Sequence, residues 1–207
     1  MTASPQARSA STRLPRPARR RQLLGAARDV FVAQGYHAAA MDEIAERAGV
    51  SKPVLYQHFP GKLELYLALL ETHVSELVDK VRAAMKSTTD NKQRVRATVG
   101  AFYDFVDSEG QAYRMVFESD LRGEPAVQDA VERATTASVA AITETITADA
   151  GLNEHQARLL AVGLVGLSQV SARAWLDANR QPEKDQAVSL ISTLAWRGIG
   201  GFPLHTT

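Results

Sequence analysis

The sequence predicts an all-α protein of nine helices, on three observations. Apolar residues recur at the three- and four-residue spacing of a helix through most of the 207 residues. The β-branched residues fall inside those helical patterns, so no segment reads as a strand. Gly, Pro, Asn and Ser cut the pattern into helix-sized pieces with recognisable starts and stops. The expected organisation is a disordered basic tail over residues 1–15, a three-helix head over 16–62 and a six-helix body over 63–207.

Each element follows from its residues. Residues 1–15 are Ser, Ala, Pro, Thr and Arg without an apolar period, which predicts disorder. Leu23, Leu24, Ala27, Val30 and Phe31 place a helix over 18–34, with Gly35 as its left-handed stop. A short helix over 41–48 carries Asp42 and Glu43 in its first turn, where the helix dipole favours negative charge, and turns Ile44, Ala45 and Ala48 inward. Gly49 closes it. Ser51 is the natural N-cap of the next helix, over 52–59, which tolerates Pro53 in its first turn. Pro60-Gly61 ends that helix, and a long one follows over 62–86.

Body helices are separated by breaks near 88–91, 108–110, 123–125, 151–153 and 181–182. Val95, Val99, Phe102 and Val106 form one apolar stripe, widened by Tyr103 and Phe105. Met115, Val116 and Phe117 suggest a short helix. Val127, Val131, Val139, Ile142 and Ile146 line the next, and Leu160, Gly163, Leu164, Leu167 and Val170 the one after it.

Composition narrows the function. Apolar residues at 45% and charged residues at 23% are those of a soluble globular protein. There is no Cys, which removes disulfides, thiolate nucleophiles and cysteine-ligated zinc. None of the five His is spaced for a shared metal with another ligand. No nucleophile elbow or phosphate-binding glycine loop is present, so no catalytic residue or cofactor is expected. No apolar run reaches the roughly 20 residues needed to span a bilayer. The N-terminal arginines are not followed by an apolar signal segment, and the expectation is a cytoplasmic protein without membrane contact.

Charge is uneven along the chain. Residues 1–62 hold ten Lys/Arg against four Asp/Glu, and the remainder holds fourteen against nineteen. A basic head on an acidic body suits a polyanionic partner at the head. Arg13, Arg16, Arg19, Arg20 and Arg21 abut the head and read as an arm that follows phosphates, or as the polar face of the first helix.

The stretch from Met41 to Lys62 carries the function. Two short helices joined by Gly49-Val50-Ser51, with small Ala45 at their crossing, form a helix-turn-helix. The second helix of such a pair lies in the major groove of duplex DNA. Leu55 and Phe59 are four apart and face the head's core. Lys52, Pro53, Val54, Tyr56, Gln57 and His58 are left outside. Lys52 suits a guanine edge or a phosphate, Pro53 and Val54 a thymine methyl, and Gln57 an adenine. Tyr56 and His58 suit phosphate oxygens, and Lys62 begins a helix whose N–H groups favour an anion.

These residues resemble the TetR family of bacterial regulators. The likeness lies in Met41-Asp42-Glu43-Ile44-Ala45, in Gly49 through Phe59 with Lys62, and in Ala27, Val30, Phe31, Gly35 and Tyr36. It implies a homodimer, a nine-helix fold, a ligand pocket in the body, and DNA contacts at Lys52, Pro53, Val54, Tyr56, Gln57, His58 and Lys62. One departure stands out: Ala39-Ala40-Met41 replaces the Thr with which members commonly begin the second helix. The phosphate contact of that Thr is lost, or passes to the backbone N–H of Met41. Tyr36 through Ala39, Lys62 through Leu67, Ala161 through Gly166 and Ala174 through Ala178 resemble an actinobacterial branch that governs fatty-acid synthesis. That likeness implies a long-chain acyl-CoA effector. Another apolar ligand, with an efflux or catabolic operon as target, is the alternative.

For the body, the residues expected at an apolar ligand are Val99, Phe102, Val106, Met115, Phe117, Val139, Gly163 and Leu167. Gly163 and Gly166 each cost a helix roughly 1 kcal/mol against Ala, compensated either by close packing or by room for a ligand. The last two helices carry Leu159, Val162, Val165, Val170, Trp175, Leu176, Val188, Leu190, Ile191, Leu194 and Trp196. That apolar surface either covers their own core or builds a four-helix dimer interface. A dimer presents two reading helices to a near-palindromic operator in double-stranded DNA.

Overall fold

A computed structural model describes residues 14–108, 121 and 123–198. Among them are eight helices and no strand. They are α1 (Arg16–Ala38), α2 (Met41–Arg47), α3 (Lys52–His58), α4 (Lys62–Lys86), α5 (Asn91–Ser108), α6 (Pro125–Ala150), α7 (Glu154–Asp177) and α8 (Lys184–Arg197). The basic tail through Arg13 and the expected short helix at Met115–Phe117 lie outside the described residues, which accounts for eight helices against nine. The chain divides into two compact units between Leu65 and Tyr66. That is three residues beyond the expected boundary, because the first turn of α4, with Leu65 fully buried, belongs to the head.

The head's core is Leu23, Ala27, Val30 and Phe31 of α1, Ile44 and Ala45 of α2, Leu55 of α3, and Phe59. Gly35 does not end α1 as expected. It takes a left-handed φ of 76° and kinks the chain, which then completes one more turn to Ala38. Phe31 and Tyr36 stack across this kink with ring centroids 5.9 Å apart.

In the body, α6 runs along α7, and α5 lies against both α7 and α8. Caps set the ends of these helices. Gly151 stops α6 at a φ of 62°. Asn153 and Gln156 form a reciprocal capping box at the start of α7. The α7–α8 connection is pinned where the Trp175 indole N–H donates to the Pro182 carbonyl at 2.7 Å. Lys184 on α8 pairs with Asp104 and Asp107 on α5, and Arg180 also pairs with Asp107.

α7 corrects the expectation that Val170 belongs to the apolar stripe lining the body. Its 24 residues are apolar enough, by length and composition, to cross a membrane, yet only 33% of its most apolar stretch is buried. Its sequence places three faces around it. Ala157, Ala161, Val165, Ser168 and Ala172 face the body's own core. Leu159, Val162 and Val170 stand exposed on the opposite side, Val170 at 68%, so Val170 is not a core residue. Leu160, Gly163, Leu164 and Leu167 occupy the third face, at the edge of a cavity.

Candidate nucleic-acid interface and effector cavity

The turn between α2 and α3 is built by backbone. Gly49 takes a φ of 63°, where a side chain is strained, and its N–H donates to Glu46 O at 2.9 Å. The Val50 N–H then returns to Ala45 O at 3.0 Å. Gln22 of α1 fastens this corner by donating from Nε2 to Ala48 O at 2.8 Å. Ser51 holds the N-cap position, but its hydroxyl makes no capping bond and stays exposed. Its carbonyl accepts instead from the Val54 and Leu55 N–H groups.

The corner sorts the side chains of α3. Leu55 and Phe59 are buried. Lys52, Pro53, Tyr56 and Gln57 are exposed, and Val54 and His58 are half-buried. The Lys52 ammonium is held 2.7 Å from Asp42, a partner the sequence reading missed. The hydrogen bond that Lys52 donates to that carboxylate, then the carboxylate's charge, pushes the Lys52 pKa up. Burial, followed by the charges of Arg16, Arg20 and Arg19, pushes the His58 imidazole below its ordinary value. The shift favours the neutral imidazole, which presents a tautomer-dependent donor and acceptor. A small cleft joins Leu14 and Arg16 to Gln57 and His58. Arg20 lies over the Phe59 ring, 4.5 Å from its centroid, while Arg19 donates to Gln22 at 2.8 Å.

Two expected contacts sit differently. The Met41 side chain is buried in the head, so the expected contact there rests on its backbone N–H alone. The Lys62 ammonium turns inward. It donates to Tyr36 O at 2.8 Å, His37 O at 3.2 Å and Ala39 O at 2.9 Å, and sits 4.6 Å from the Tyr36 ring centroid. An ammonium has three protons, and all three are used. Lys62 thus clamps the link between α1 and α2. The expectation that it offers a free charge to DNA does not hold in this conformation.

The body contains a cavity of about 590 Å³, within the range of small-molecule sites. It lies between the C-terminal half of α6 and the N-terminal half of α7, with the start of α5, the end of α4 and the end of α8 closing it. Gly163 and Leu167 line it as expected. A Cβ at Gly163 or Gly166 would meet nothing within 4 Å, so close packing within the subunit does not explain either glycine. Val99, Phe102, Val106 and Val139 do not line this cavity. They are almost fully buried and form the body's core. Met115 and Phe117 lie outside the described residues. The residues missed are Met85, Val95, Ile142, Ile146 and Trp196, together with the polar group Asn91, Arg94 and Asp149. Arg94 donates to Asp149, to Asn91 Oδ1 at 2.9 Å and to Thr88 O at 2.6 Å. Among the described residues no group of three His, Asp or Glu is arranged for a metal.

A buried-cored helix pair with a tight glycine corner and an outward polar second helix is that of a helix-turn-helix DNA-binding regulator. Residues 23–69 match the description "Bacterial regulatory proteins, tetR family", and residues 91–198 match "Tetracyclin repressor-like, C-terminal domain". The chain belongs to the TetR family and is a transcriptional regulator, not an enzyme. It is 56% identical over 192 residues to the HTH-type transcriptional activator FasR of Mycolicibacterium smegmatis, covering 93% of this chain and 88% of that one. A TetR-like regulator from Rhodococcus sp. RHA1 superposes with a TM-score of 0.68 at 29% identity, over 92% of this chain and 100% of that one. FadR from Bacillus subtilis, solved in complex with stearoyl-CoA, shares the fold at a TM-score of 0.73 and 16% identity, over 86% and 98%. Regulators of this family bind DNA operators as dimers and take small-molecule effectors rather than cofactors.

Proposed function

We propose that the chain is a homodimeric regulator that reads a near-palindromic operator with α3 and is tuned by an apolar effector held in the body. The observation that carries the DNA reading is the sorting of α3. Its two large apolar residues are buried, and Lys52, Pro53, Val54, Tyr56, Gln57 and His58 form the outward surface. Lys52 exchanges Asp42 for a guanine edge or a phosphate. Pro53 and Val54 meet a thymine methyl, and Gln57 meets an adenine. Tyr56, His58, Arg19, Arg20 and the Met41 backbone N–H serve phosphates.

The dimer reading rests on the exposed apolar side chains of α7 and α8: Leu159, Val162, Val170, Leu190 and Trp196. Val165, Trp175, Leu176 and Val188, expected in the same interface, are buried within one subunit and cover its own core. Gly166 lies within the exposed α7 stripe, where the absence of a side chain lets a second α7 approach closely.

The effector reading rests on the cavity beside Gly163 and Leu167, which is apolar along its length and carries polar groups only near Arg94. A long-chain acyl group suits it, and the resemblance to regulators of fatty-acid synthesis makes those genes the expected targets. The protein then works in the cytoplasm.

A gel shift on operator DNA with a salt titration tests the reading. Wild-type affinity is expected to fall steeply with salt, and Lys52→Ala to relax base preference or to lower the salt slope by about one contact. A Lys52→Ala protein with unaltered binding removes that residue from the interface. Equal operator affinity with and without saturating palmitoyl-CoA ends the effector reading.

A further inference from the structure

Asp42 stands where α2 meets the reading helix. It lies in the first turn of α2 with its side chain 67% exposed, and its Oδ1 is 2.7 Å from Nζ of Lys52, the first residue of α3. Two other acids of the head are turned elsewhere. Asp29 pairs with Arg28 and Arg47, and Glu43 accepts from Gln34. An exposed pair such as Lys52–Asp42 adds little to stability, so stability does not explain a carboxylate on a surface that faces a polyanion.

Any group that reaches the Lys52 ammonium also reaches the Asp42 carboxylate. If Lys52 left Asp42 for a phosphate, the carboxylate would stand bare beside the nucleic-acid backbone. If Lys52 leaves it for a base edge, the carboxylate can take a donor from the same base pair. In a G·C pair the guanine O6 and cytosine N4 are hydrogen-bonded to one another, and so lie about 3 Å apart in the major groove. The ion pair has nearly that spacing. Lys52 then donates to guanine O6 and N7, and Asp42 accepts from the cytosine N4–H. A T·A pair with thymine under Lys52 keeps the polarity but lacks the second acceptor. The two reversed pairs set the ammonium against an amino group and the carboxylate against a keto oxygen.

We propose that Asp42 is a specificity-determining residue that reads one base pair jointly with Lys52, guanine under the ammonium and cytosine under the carboxylate. This rests on the reading that α3 enters the major groove, and it selects the guanine edge over the phosphate for Lys52.

A binding selection from a random duplex pool, sequenced for the full-length wild type and its variants, tests this. Wild type is expected to select guanine, then thymine, at one position of each half-site, and to disfavour cytosine and adenine there by about tenfold or more. Asp42→Asn, whose amide both donates and accepts, is expected to lose that discrimination and keep the rest of the profile. Its overall affinity is expected to rise and its salt slope to steepen by about one contact, because a fixed negative charge has left the interface. Lys52→Ala is expected to relax the same position. It is also expected to bind more weakly than Lys52→Ala/Asp42→Asn, which has no bare carboxylate. Glu46→Gln removes the same charge from an exposed position of α2 and is expected to leave the profile unchanged. If Asp42→Asn leaves the profile intact, or weakens all sequences alike, Asp42 does not read a base and the inference falls. If Glu46→Gln alters the same position, net charge and not contact is at work, and the inference falls again. If wild type enriches no sequence at all, the reading of α3 falls with it.

Discussion

The head and the body treat their polar atoms differently. In the head, Lys62 gives all three protons to backbone carbonyls, and Gln22 closes the α2–α3 corner. The body leaves His73 Nε2, Thr98 Oγ1 and Ser138 Oγ buried without a partner among the described residues. It also leaves six large apolar side chains of α7 and α8 in solvent, and a cavity beside Gly163. The head is a finished tool whose reading surface is fixed by its own bonds. The body, as a single chain, leaves an apolar stripe and a cavity open.

Four experiments break or sharpen that comparison. Phe59→Ala has the largest expected effect. Removing this buried ring costs about 3–5 kcal/mol, unfolds the head, and abolishes operator binding while the body still dimerises. Gel shift together with sedimentation checks both halves of that statement. Val170→Glu strikes the other region. A charge placed in the exposed α7 stripe is expected to raise the dimer dissociation constant by about a hundredfold or more, with subunit stability unchanged. A sedimentation profile equal to wild type would remove this stripe from the interface.

Lys62→Met comes next. Three carbonyls lose their donor, and the head is expected to lose about 1–3 kcal/mol. The salt slope of operator binding should be unchanged, because the ammonium is spent inside the head; a slope lowered by about one contact would return Lys62 to the interface. The smallest effect is acidification at His58. Its folded pKa lies below its unfolded value, so the stability it lends the head is present above the unfolded value near 6.5 and is lost as pH falls through the folded one. Head melting is expected to drop on acidification and to do so less in His58→Gln.

Most of the head was legible because its signals are local. Gly49, Pro53 and the four-residue spacing of Leu55 and Phe59 lie within one short stretch and mark the corner, which Gln22 then fastens. The inward turn of Lys62 was not legible, for the opposite reason. Its partners at Tyr36, His37 and Ala39 are more than twenty residues away, brought close by a kink at Gly35 that periodicity reads as a helix end. The body's cavity was half legible. The strongest apolar stripe, Val99 to Val106, marks the deepest packing, not the cavity. The cavity's walls are half-buried positions such as Val95, Ile146, Leu164 and Leu167, where apolar residues mix with Thr and Asp. Nor does spacing announce that Arg94 meets Asp149 across 55 positions of chain.

The three-sided character of α7 has a thermodynamic consequence. On the dimer reading proposed above, one rod lines the chamber with Gly163 and Leu167 and offers its exposed Leu159 and Val170 to a second subunit. Filling the chamber and pairing the subunits then draw on the same rigid body, and linkage makes their influence mutual. Whatever factor an occupant applies to the affinity of one protomer for another, assembly returns to the affinity for that occupant.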